Sequence, residues 1–408
     1  MKKKTNIQTY LKKFSLSGKK KTYIQYFSFN NLRIPIFINE FWTSKQRQAH
    51  SLHEIAYRAC FKPQLPKFFI ELFTKKNDVV YDPFSGRGTT IIESALLQRN
   101  IISNDINPLN KILCSSRLHI PTISEIEQRL SEIPNSKKKF DINLTMFYHP
   151  KTLEEILSLK NYLYKKNNNG TEDYIDSWIR MVATNRLTGH SKGFFSVYTL
   201  PPNQAISPER QKKINTQRKQ KPEYRNTKEL ILKKTKSLLR NITQEQIHSL
   251  QKMSSQAKFL QNDARSIPEI KNNSVQLTIT SPPFLDVVQY ADDNWLRCWF
   301  NSFDAKTIEK KITMSKTIDD WCNVMGDVFK ELYRITKRNG WVAFEVGEIK
   351  HGKIHLEEHV VALGINAGFF CECIMINQQT FTKTANIWGV KNNTKGTNSN
   401  RIVLFYKR

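Results

Sequence analysis

Seven short apolar segments along the chain have the length and composition of buried β-strands. They lie at residues 78–81, 101–104, 258–261, 275–280, 341–346, 371–376 and 402–406. A glycine-containing turn and a stretch with helical spacing separate the first two, so strand, helix and strand follow within about thirty residues, the pattern of a βαβ unit. We therefore expect an α/β fold with a mostly parallel sheet of about seven strands and helices on both faces.

A different pattern occupies residues 121–256, between the second and third predicted strands. Two capping boxes, Thr122–Glu125 and Thr152–Glu155, predict helix starts there. Residues 207–240 hold twelve Lys and Arg against three Glu, the densest basic region of the chain. The expected organisation is a basic N-terminal arm over 1–40, flexible over residues 1–21, an α/β domain formed by 41–120 and 257–408, and an inserted, mostly helical basic region over 121–256.

The charge of the chain narrows the class of partner. Among 408 residues, Lys and Arg total 64 against 36 Asp and Glu, a formal net charge of +28, and so large an excess indicates phosphate or an anionic membrane surface. No segment approaches the ~20 apolar residues of a spanning helix, and the N-terminus lacks the apolar run of a signal peptide. We expect a nucleic-acid partner and no membrane.

The cysteines indicate a reduced protein without a metal site. Six are scattered along the chain, and only Cys371 and Cys373 are close, with no second pair at the spacing of zinc ligands. The expected location is therefore the cytoplasm, where thiols stay reduced.

The loop Asp82-Pro-Phe-Ser-Gly-Arg-Gly-Thr-Thr90 follows a predicted strand and opens a predicted helix. Its glycines allow a tight turn and close approach of a ligand. A carboxylate at the end of the next strand can accept both ribose hydroxyls of an adenosine cofactor. Position 91 is Ile, which disfavours NAD, and the chain has no GxxxxGK[ST] loop for a nucleoside triphosphate. The candidate cofactor contacts in this region are Asp82, Pro83, Phe84, Gly86, Gly88, Thr89 and Asp105.

A second motif, Thr280-Ser-Pro-Pro-Phe284, ends another predicted strand. Its two prolines stop the strand and project the chain at the carboxyl edge of the sheet, where open α/β sheets bind ligands. Ser281 supplies a hydroxyl acceptor, Pro282 a free carbonyl and Phe284 a stacking surface. The candidate catalytic residues are Ser281, Pro282, Pro283 and Phe284.

These two motifs resemble those of S-adenosylmethionine-dependent DNA amino-methyltransferases, closest to the cytosine-N4 group of restriction-modification systems. That resemblance implies a Rossmann-like class I methyltransferase sheet and S-adenosyl-L-methionine as the cofactor. Residues 258–263 resemble the element whose acid, here Asp263, contacts the cofactor adenine, and Phe61 and Lys62 fall in a segment that resembles the one closing over the methionine moiety. The cofactor loop precedes the Ser-Pro-Pro motif here, whereas such a loop usually follows it in the permuted members.

The chemistry of the Ser-Pro-Pro motif suits a base amine. The amine of a base is a poor nucleophile, and acceptance of its hydrogens by the Ser281 hydroxyl and the Pro282 carbonyl favours a tetrahedral nitrogen as the bond to methyl forms. Phe284 would stack on a base flipped out of the duplex. Methylation at carbon 5 of cytosine needs a nucleophilic cysteine, usually in Pro-Cys, and the chain has no Pro-Cys.

The expected substrate is duplex DNA bound partly by the insertion, although a basic run can also be a solvated helical face. The candidate DNA contacts are Arg186, His190, Ser191, Lys192, Lys212, Lys213, Arg218, Lys219 and Lys221. The expected function is site-specific transfer of methyl to the N4 amine of cytosine, protecting host DNA beside a cognate restriction endonuclease. The alternatives are an adenine-N6 DNA methyltransferase, an RNA base-amine methyltransferase and a binding protein without catalysis.

Overall fold

Nine β-strands form one sheet in the computed structural model, which describes residues 6–16, 21–43, 49–58, 60–134, 142–200, 205–283, 290–312, 315, 317–347, 355–378 and 399–408. The strands are β1 (Tyr23–Phe29), β2 (Leu32–Asn39), β3 (Val79–Asp82), β4 (Asn100–Asn104), β5 (Lys258–Leu260), β6 (Val275–Thr280), β7 (Thr336–Val346), β8 (Phe370–Gln378) and β9 (Ser399–Tyr406). Each of the seven predicted apolar segments forms a strand, which confirms the predicted α/β class.

The order of strands across the sheet is β1-β2-β8-β9-β7-β6-β3-β4-β5. Strands β5, β4, β3, β6 and β7 pair in parallel, whereas β9 lies antiparallel between β7 and β8. The order reverses between β3 and β6, which are neighbours in space but far apart in sequence. Such a reversal places the loops after the two strands around one crevice at the carboxyl edge of the sheet.

Fourteen helices surround the sheet within the described ranges. They are α1 (Ile7–Lys13), α2 (Gln64–Phe73), α3 (Thr89–Leu96), α4 (Leu109–Ser115), α5 (Ile123–Glu132), α6 (Pro150–Asn168), α7 (Tyr174–Arg186), α8 (Pro208–Gln217), α9 (Thr227–Leu239), α10 (Gln244–Ser254), α11 (Tyr290–Phe300), α12 (Ala305–Lys311), α13 (Ile318–Ile335) and α14 (Leu356–Asn366).

Both faces of the sheet are covered, as the side chains of β7 show. Ala343 joins the apolar cluster beneath α1 and α2, while Val342 and Phe344 join the cluster beneath α13 and α14. Successive side chains of a strand point to opposite faces, so a strand buried on both sides is apolar at every position. This explains why the strand signal in the sequence is a continuous apolar run without alternation.

Helices α5 to α10 fill the chain between β4 and β5 and do not form a separate body. Their buried residues, Trp178 and Ile231 among them, belong to the same apolar cluster as Ile91 of α3 and Leu296 of α11. Trp178 also donates its indole N–H to the Thr235 hydroxyl at 3.0 Å, which joins α7 to α9. The basic helices are therefore anchored on the sheet domain beside the loop after β3.

The N-terminal segment differs from its prediction. The sequence predicts a basic arm over residues 1–40, but β1 and β2 form a hairpin whose second strand pairs in parallel with β8 and extends the sheet. Ile7 and Leu11 of α1 are buried against the sheet as well. The prediction is therefore wrong for the described residues of this segment, because its apolar positions find partners in β8 and α2 that lie far away in sequence.

Two predicted helix boundaries also need correction. The capping box at Thr122 and Glu125 is present, but Thr152 lies inside α6, which begins at Pro150 with His149 as its N-cap. Proline is favoured in the first helical turn because the N–H it lacks would have had no helical partner there. The helical spacing of apolar residues over 318–337 and the Asn339-Gly340 pair predict a helix that stops there, but α13 ends at Ile335 and the chain continues directly into β7.

Candidate functional site

A cleft opens at the carboxyl ends of β3, β4 and β6, with about 900 Å³ of space between protein atoms, part of it open to solvent. It is lined by the loops after these strands and by one face of α13. The lining residues are Tyr57, Pro83, Phe84, Gly86, Asp105, Ile106, Asn107, Asn262, Asp263, Ala264, Ser281, Pro283, Lys311, Ile312, Ser315, Trp321, Val324, Met325 and Val328. The structure thus brings together seven of the predicted site residues, five of them from the two motifs and the other two Asp105 and Asp263.

The glycines after β3 are required by the backbone. Gly86 has φ +51° and Gly88 has φ +74°, in the left-handed region where a side chain is strained. A Cβ on Gly88 would lie 2.2 Å from the Sγ atom of Cys114, and a Cβ on Gly86 would lie 3.2 Å from the Tyr57 ring. Gly86 faces the cleft, whereas Gly88 allows α3 to begin close against α4.

The remaining loop residues divide between the cleft and the core. Pro83 and Phe84 line the cleft. Thr89 is buried and its hydroxyl accepts a hydrogen bond from Nε of Arg87 at 3.1 Å, so it supports the loop from below. Asp82 is buried beneath the loop and does not line the cleft.

Asp82 ties β3 to β6. Its Oδ1 accepts hydrogen bonds from the Thr280 hydroxyl at 2.7 Å and from the backbone N–H of Phe84 at 3.2 Å. Burial raises the pKa of Asp82 to about 7, although these donors oppose the shift. The carboxyl group therefore joins the residue before Ser281 to the loop that contains Gly86.

Asp105 presents its carboxylate to the cleft. Its Oδ2 accepts the backbone N–H of Gly86 at 2.7 Å and its Oδ1 accepts the N–H of Asn107 at 2.9 Å. Burial raises the pKa of Asp105 to about 6. Each oxygen retains a lone pair, because a carboxylate oxygen accepts about two hydrogen bonds. The group is thus oriented by its loop and still able to accept two hydroxyls.

The remaining wall of the cleft contains one acidic side chain and several apolar or aromatic side chains. Asp263 is half-exposed there, and its carboxylate pairs with Arg265 at 2.6 Å, which holds the pKa of Asp263 below its ordinary value. The facing residues of α13, Trp321, Val324 and Met325, are apolar or aromatic. An apolar surface beside an ionised acceptor fits the flat ring and amino group of a purine.

The Ser-Pro-Pro turn is held from α13. The indole N–H of Trp321 donates to the carbonyl oxygen of Pro283 at 3.1 Å. Ser281 and Pro283 line the cleft, while Pro282 is buried behind them. Phe284 lies outside the described residues, so its stacking role stays a prediction.

The segment before α2 places two of the predicted cofactor contacts outside the lining of the cleft, so their role stays a prediction. Phe61 and Lys62 do not line the cleft; Phe61 packs against the apolar cluster beneath α1 and α2, and burial lowers the pKa of Lys62. Tyr57, a few residues earlier, does line it. No motif marks Tyr57 in the sequence, and only the fold of residues 51–58 brings it to Gly86.

A buried polar network supports that segment. Arg87 donates to the carbonyl oxygens of His53 and Ile55 at 3.1 and 2.8 Å, and Arg117 donates to the carbonyl of Arg87. His53 lies 2.7 Å from Glu93 of α3, and burial lowers the pKa of His53 to about 4. The cofactor loop and the segment that contains Tyr57 are therefore held together as one unit.

The predicted DNA contacts fall into two groups. Seven of them are exposed or half-exposed, on or beside α8 or in the turn after α7: His190, Ser191, Lys192, Lys212, Lys213, Lys219 and Lys221. Arg218 is also exposed and stacks on the Tyr198 ring at 3.8 Å. Arg186 is only 9% exposed and stacks on Phe194 at 4.0 Å, so a contact with DNA would require this segment to rearrange.

Within the described ranges, no group of three or more His, Cys, Asp or Glu side chains is placed to hold a metal ion. No helix among the described residues has the length and apolar character needed to cross a membrane.

A family model described as DNA methylase, covering N6 and N4 enzymes, matches residues 2–111 of this chain. Type II methyltransferase M.MjaII from Methanocaldococcus jannaschii is 28% identical over 29% of this chain and 22% of its own length. M.MvaI from Kocuria varians is 28% identical over 34% of this chain and 27% of its own. M.BsoBI from Geobacillus stearothermophilus is 24% identical over 66% and 57%. The chain thus matches between about a fifth and three fifths of the length of these relatives.

Solved structures that match this chain include a SAM-dependent methyltransferase from Methanosarcina mazei, at 10% identity and a TM-score of 0.33, covering 83% of this chain and 96% of that one. The rRNA methyltransferase aviRa from Streptomyces viridochromogenes is 9% identical at a TM-score of 0.34, covering 87% of this chain and 89% of its own. The Rossmann-like fold of this chain is seen in its own strand order and in the cleft at the reversal of that order.

The strand order and the cleft at its reversal are those expected of a Rossmann-like nucleotide-binding sheet. The family match and the curated relatives confirm the resemblance to DNA amino-methyltransferases of the restriction-modification type, without separating cytosine-N4 from adenine-N6 enzymes. They also support S-adenosylmethionine as the cofactor, and the acceptor at Asp105 and the apolar wall of α13 fit its adenosine part.

Proposed function

We propose that this chain methylates the exocyclic amine of a base in duplex DNA, with the N4 amine of cytosine as the preferred target. One observation carries the proposal: Ser281 and Pro283 line the same cleft as Gly86 and Asp105. A loop suited to an adenosine cofactor thus adjoins a turn that presents hydrogen-bond acceptors. Serine, rather than Asp or Asn, before Pro-Pro supports cytosine over adenine.

Different residues of the cleft would have different roles in the reaction. Asp105 would hold the ribose, and Asp263 with the apolar face of α13 would hold the adenine. S-adenosylmethionine supplies a methyl group already activated by its sulfonium, so orientation provides much of the remaining catalysis. Ser281 and the Pro282 carbonyl would accept the hydrogens of the target amine and favour its tetrahedral form.

The target base must leave the helix to reach this cleft, because its amine is inaccessible inside a stacked duplex. Phe284 would then stack on the flipped base, and the exposed cations of α8 and the loop that follows it would bind the phosphate backbone. A protein of this kind would protect host DNA from a restriction endonuclease that cuts the same site.

Modification-sensitive sequencing of DNA from cells that express the protein tests the proposal. We expect N4-methylcytosine at one recognition sequence. N6-methyladenine there would show that adenine, and not cytosine, is the target base. 5-Methylcytosine would contradict the proposed mechanism. Methylation found only in RNA would show that RNA, and not DNA, is the substrate.

Ser281→Ala tests the mechanism directly. It removes one acceptor but keeps β6 and both prolines, so the single-turnover rate of methyl transfer should fall by roughly 10²–10³ while cofactor and DNA affinities stay nearly constant. Ser274→Ala, just before the other end of β6, removes a hydroxyl outside the cleft and should keep the wild-type rate. A wild-type rate in Ser281→Ala would refute the assigned role.

A further inference from the structure

The turn after α7, residues 189–198, is closed at its base and filled from within. The backbone N–H of Thr199 donates to the carbonyl oxygen of Gly189 at 3.0 Å. The Phe194 ring fills the interior, and a Cβ added to Gly189 would lie 2.4 Å from that ring. The Arg186 guanidinium stacks on the same ring at 4.0 Å. Arg186 therefore supports the turn from its interior.

Arg225, in the segment between α8 and α9, holds the turn from a distant part of the chain. Its Nη1 atom donates to the carbonyl oxygens of Phe194 at 2.8 Å and Ser191 at 3.2 Å, and also to that of Ser196. The backbone of Arg225 exchanges hydrogen bonds with the buried Thr152 hydroxyl at 2.8 and 3.0 Å. A guanidinium presents several donors in a rigid plane, so one side chain can fix several carbonyls at once.

The tip of the turn differs from its body. His190 is half-exposed and Ser191 and Lys192 are exposed, whereas residues 194–197 are buried. The buried part fixes the backbone, and the three polar side chains stand on this rigid base. Side chains of these types can donate to or accept from the edges of bases in a groove of DNA.

The segment that contains the turn is anchored beside the cleft at both of its ends. Before the turn, the side-chain oxygen of Asn185 accepts the N–H of Ala56 at 2.7 Å, and the next residue, Tyr57, lines the cleft. After the turn, the N–H of Ala205 donates at 2.8 Å to the carbonyl oxygen of Asp293 in α11, the helix that follows the Ser-Pro-Pro motif along the chain. A duplex with one base in the cleft would bring the neighbouring base pairs toward this surface.

The turn is also attached to the cationic helix α8. The carbonyl oxygen of Tyr198 accepts the side-chain amides of Gln211 at 3.1 Å and Gln220 at 2.9 Å, and the Arg218 guanidinium stacks on the Tyr198 ring at 3.8 Å. Contacts with phosphate position a protein on the duplex, whereas contacts with base edges carry the sequence information. The tip of the turn and the cations proposed to bind phosphate therefore lie side by side.

We propose that this turn is the base-reading element of the protein, with His190, Ser191 and Lys192 in contact with base edges of the recognition sequence and Arg225 as the positioning residue that fixes their placement. The inference rests on the proposed function. Base pairs differ in the arrangement of their donors and acceptors, so the groups that read them must be held in one place. A turn already fixed in shape loses little freedom on binding, which favours the matching sequence. The partner of Arg186 is then the interior of the turn and not DNA.

The test measures kcat/KM for methyl transfer to a duplex with the recognition sequence of the wild-type protein and to duplexes with one base pair changed. The ratio of the two values is the specificity at that position. Arg225→Ala should lower this ratio by roughly 10- to 100-fold at one or more positions, because the tip is no longer fixed. Arg225→Lys keeps a donor and should restore part of the ratio. Affinity for S-adenosylmethionine, measured by calorimetry, should stay within about twofold of wild type.

Further variants separate base reading from phosphate binding. His190→Ala, Ser191→Ala and Lys192→Ala should each lower the ratio at a different position of the recognition sequence. Lys213→Gln, on α8, should instead weaken methyl transfer to all duplexes by the same factor and leave every ratio unchanged. Arg33→Ala is the matched arginine control, because it removes an exposed arginine of β2, and it should keep the wild-type rates and ratios.

The inference and the proposed function fail in different ways. Wild-type ratios at every position in folded Arg225→Ala would overturn the role of Arg225. An equal loss for all duplexes in the three tip variants would overturn base reading, as would methylation by the wild-type protein without sequence preference. If Arg225→Ala does not fold, the tip variants decide, and wild-type ratios in all three contradict the inference. Absence of DNA methylation by the wild-type protein would overturn the proposed function itself.

Discussion

Gly88 shows how a single position in the cofactor loop combines two constraints. Its φ of +74° strains any side chain, and its close approach to Cys114 leaves no space for one. Gly170, with φ +66° after α6, shares the first constraint but has no atom within 4 Å of an added Cβ. A side chain at Gly170 would therefore cause backbone strain alone, whereas a side chain at Gly88 would cause both backbone strain and a steric clash.

We expect Gly170→Ala to lower the free energy of unfolding by about 1–2 kcal/mol, the cost of the left-handed conformation. Gly88→Ala should cost a further ~1–3 kcal/mol, because Cys114 must move. Urea unfolding followed by circular dichroism measures both. Equal losses in the two variants would show that the contact with Cys114 is relieved without cost.

Asp105 carries a prediction on cofactor affinity. Asp105→Asn keeps the shape and one acceptor oxygen but removes the charge, so S-adenosylmethionine binding should weaken by roughly 1.5–3 kcal/mol through loss of charge-assisted hydrogen bonds. Titration calorimetry measures the affinity. The exposed Asp327→Asn, which removes a surface pair with Lys330, is the control and should bind normally. Unchanged affinity in folded Asp105→Asn would remove Asp105 from the site.

The segment from residue 51 to 58 and helix α3 behave as a connected pair of elements, held by Arg87, Arg117 and the His53–Glu93 contact. This connection fixes Tyr57 over Gly86 at the cleft. The network is buried, so its stability depends on the protonation of His53, whose folded pKa of about 4 lies below the ordinary value of 6.5.

That difference predicts a pH effect with a definite sign. Between pH 6.5 and 4 the unfolded chain binds a proton at His53 and the folded chain does not, so the contribution of His53 to stability is lost as pH falls through the unfolded value. Asp82 and Asp105, whose folded pKa values are raised, act in the opposite direction over pH 4–7. A comparison with a His53 variant is therefore needed to isolate the effect.

We expect the stability advantage of wild type over His53→Asn to shrink by about 2 kcal/mol between pH 7 and pH 5. Urea unfolding at both values measures it. The exposed His359→Asn serves as control and should show no such change. A constant difference between wild type and His53→Asn would mean that the pKa of His53 is the same in the folded and the unfolded chain.

At the scale of the whole molecule, the exposed positive charges lie on more than one surface, and only one of these surfaces is proposed to face DNA. The net charge of +28 includes exposed cations on and just after α8 and others near the amino ends of the strands, away from the cleft. Only cations that contact phosphate release counterions, so the salt dependence of DNA binding identifies the surface that faces DNA.

Replacement of Lys212, Lys213, Arg218 and Lys219 by Gln should weaken DNA binding regardless of sequence. It should also flatten the slope of log K against log salt concentration by up to about 3.6, or about 0.9 per phosphate contact. The control removes the same charge near the amino ends of β3, β6 and β7, by Gln at Lys75, Lys76, Lys271 and Arg338. An unchanged slope in the first variant would identify α8 as a solvated face.

The local sequence was sufficient for seven of the nine strands, β3 to β9, and for the two loops that define the chemistry. Strands buried on both faces require continuous apolar runs, and tight turns require Gly or Pro at particular positions. Both can therefore be recognised from a few consecutive residues. The runs around β3 and β6, the glycines at 86 and 88 and Ser281 were therefore readable in the chain alone.

Tertiary structure alone decided which distant residues complete the site. Tyr57 and Trp321 have no local signature, because each acts through a contact with a residue that lies far away in sequence. The same reason explains the N-terminal hairpin: its local sequence predicts a basic arm, and only the pairing of β2 with β8 makes it part of the sheet. Periodicity and turn chemistry report the neighbours of a residue along the chain, whereas packing, burial and pKa depend on its neighbours in space.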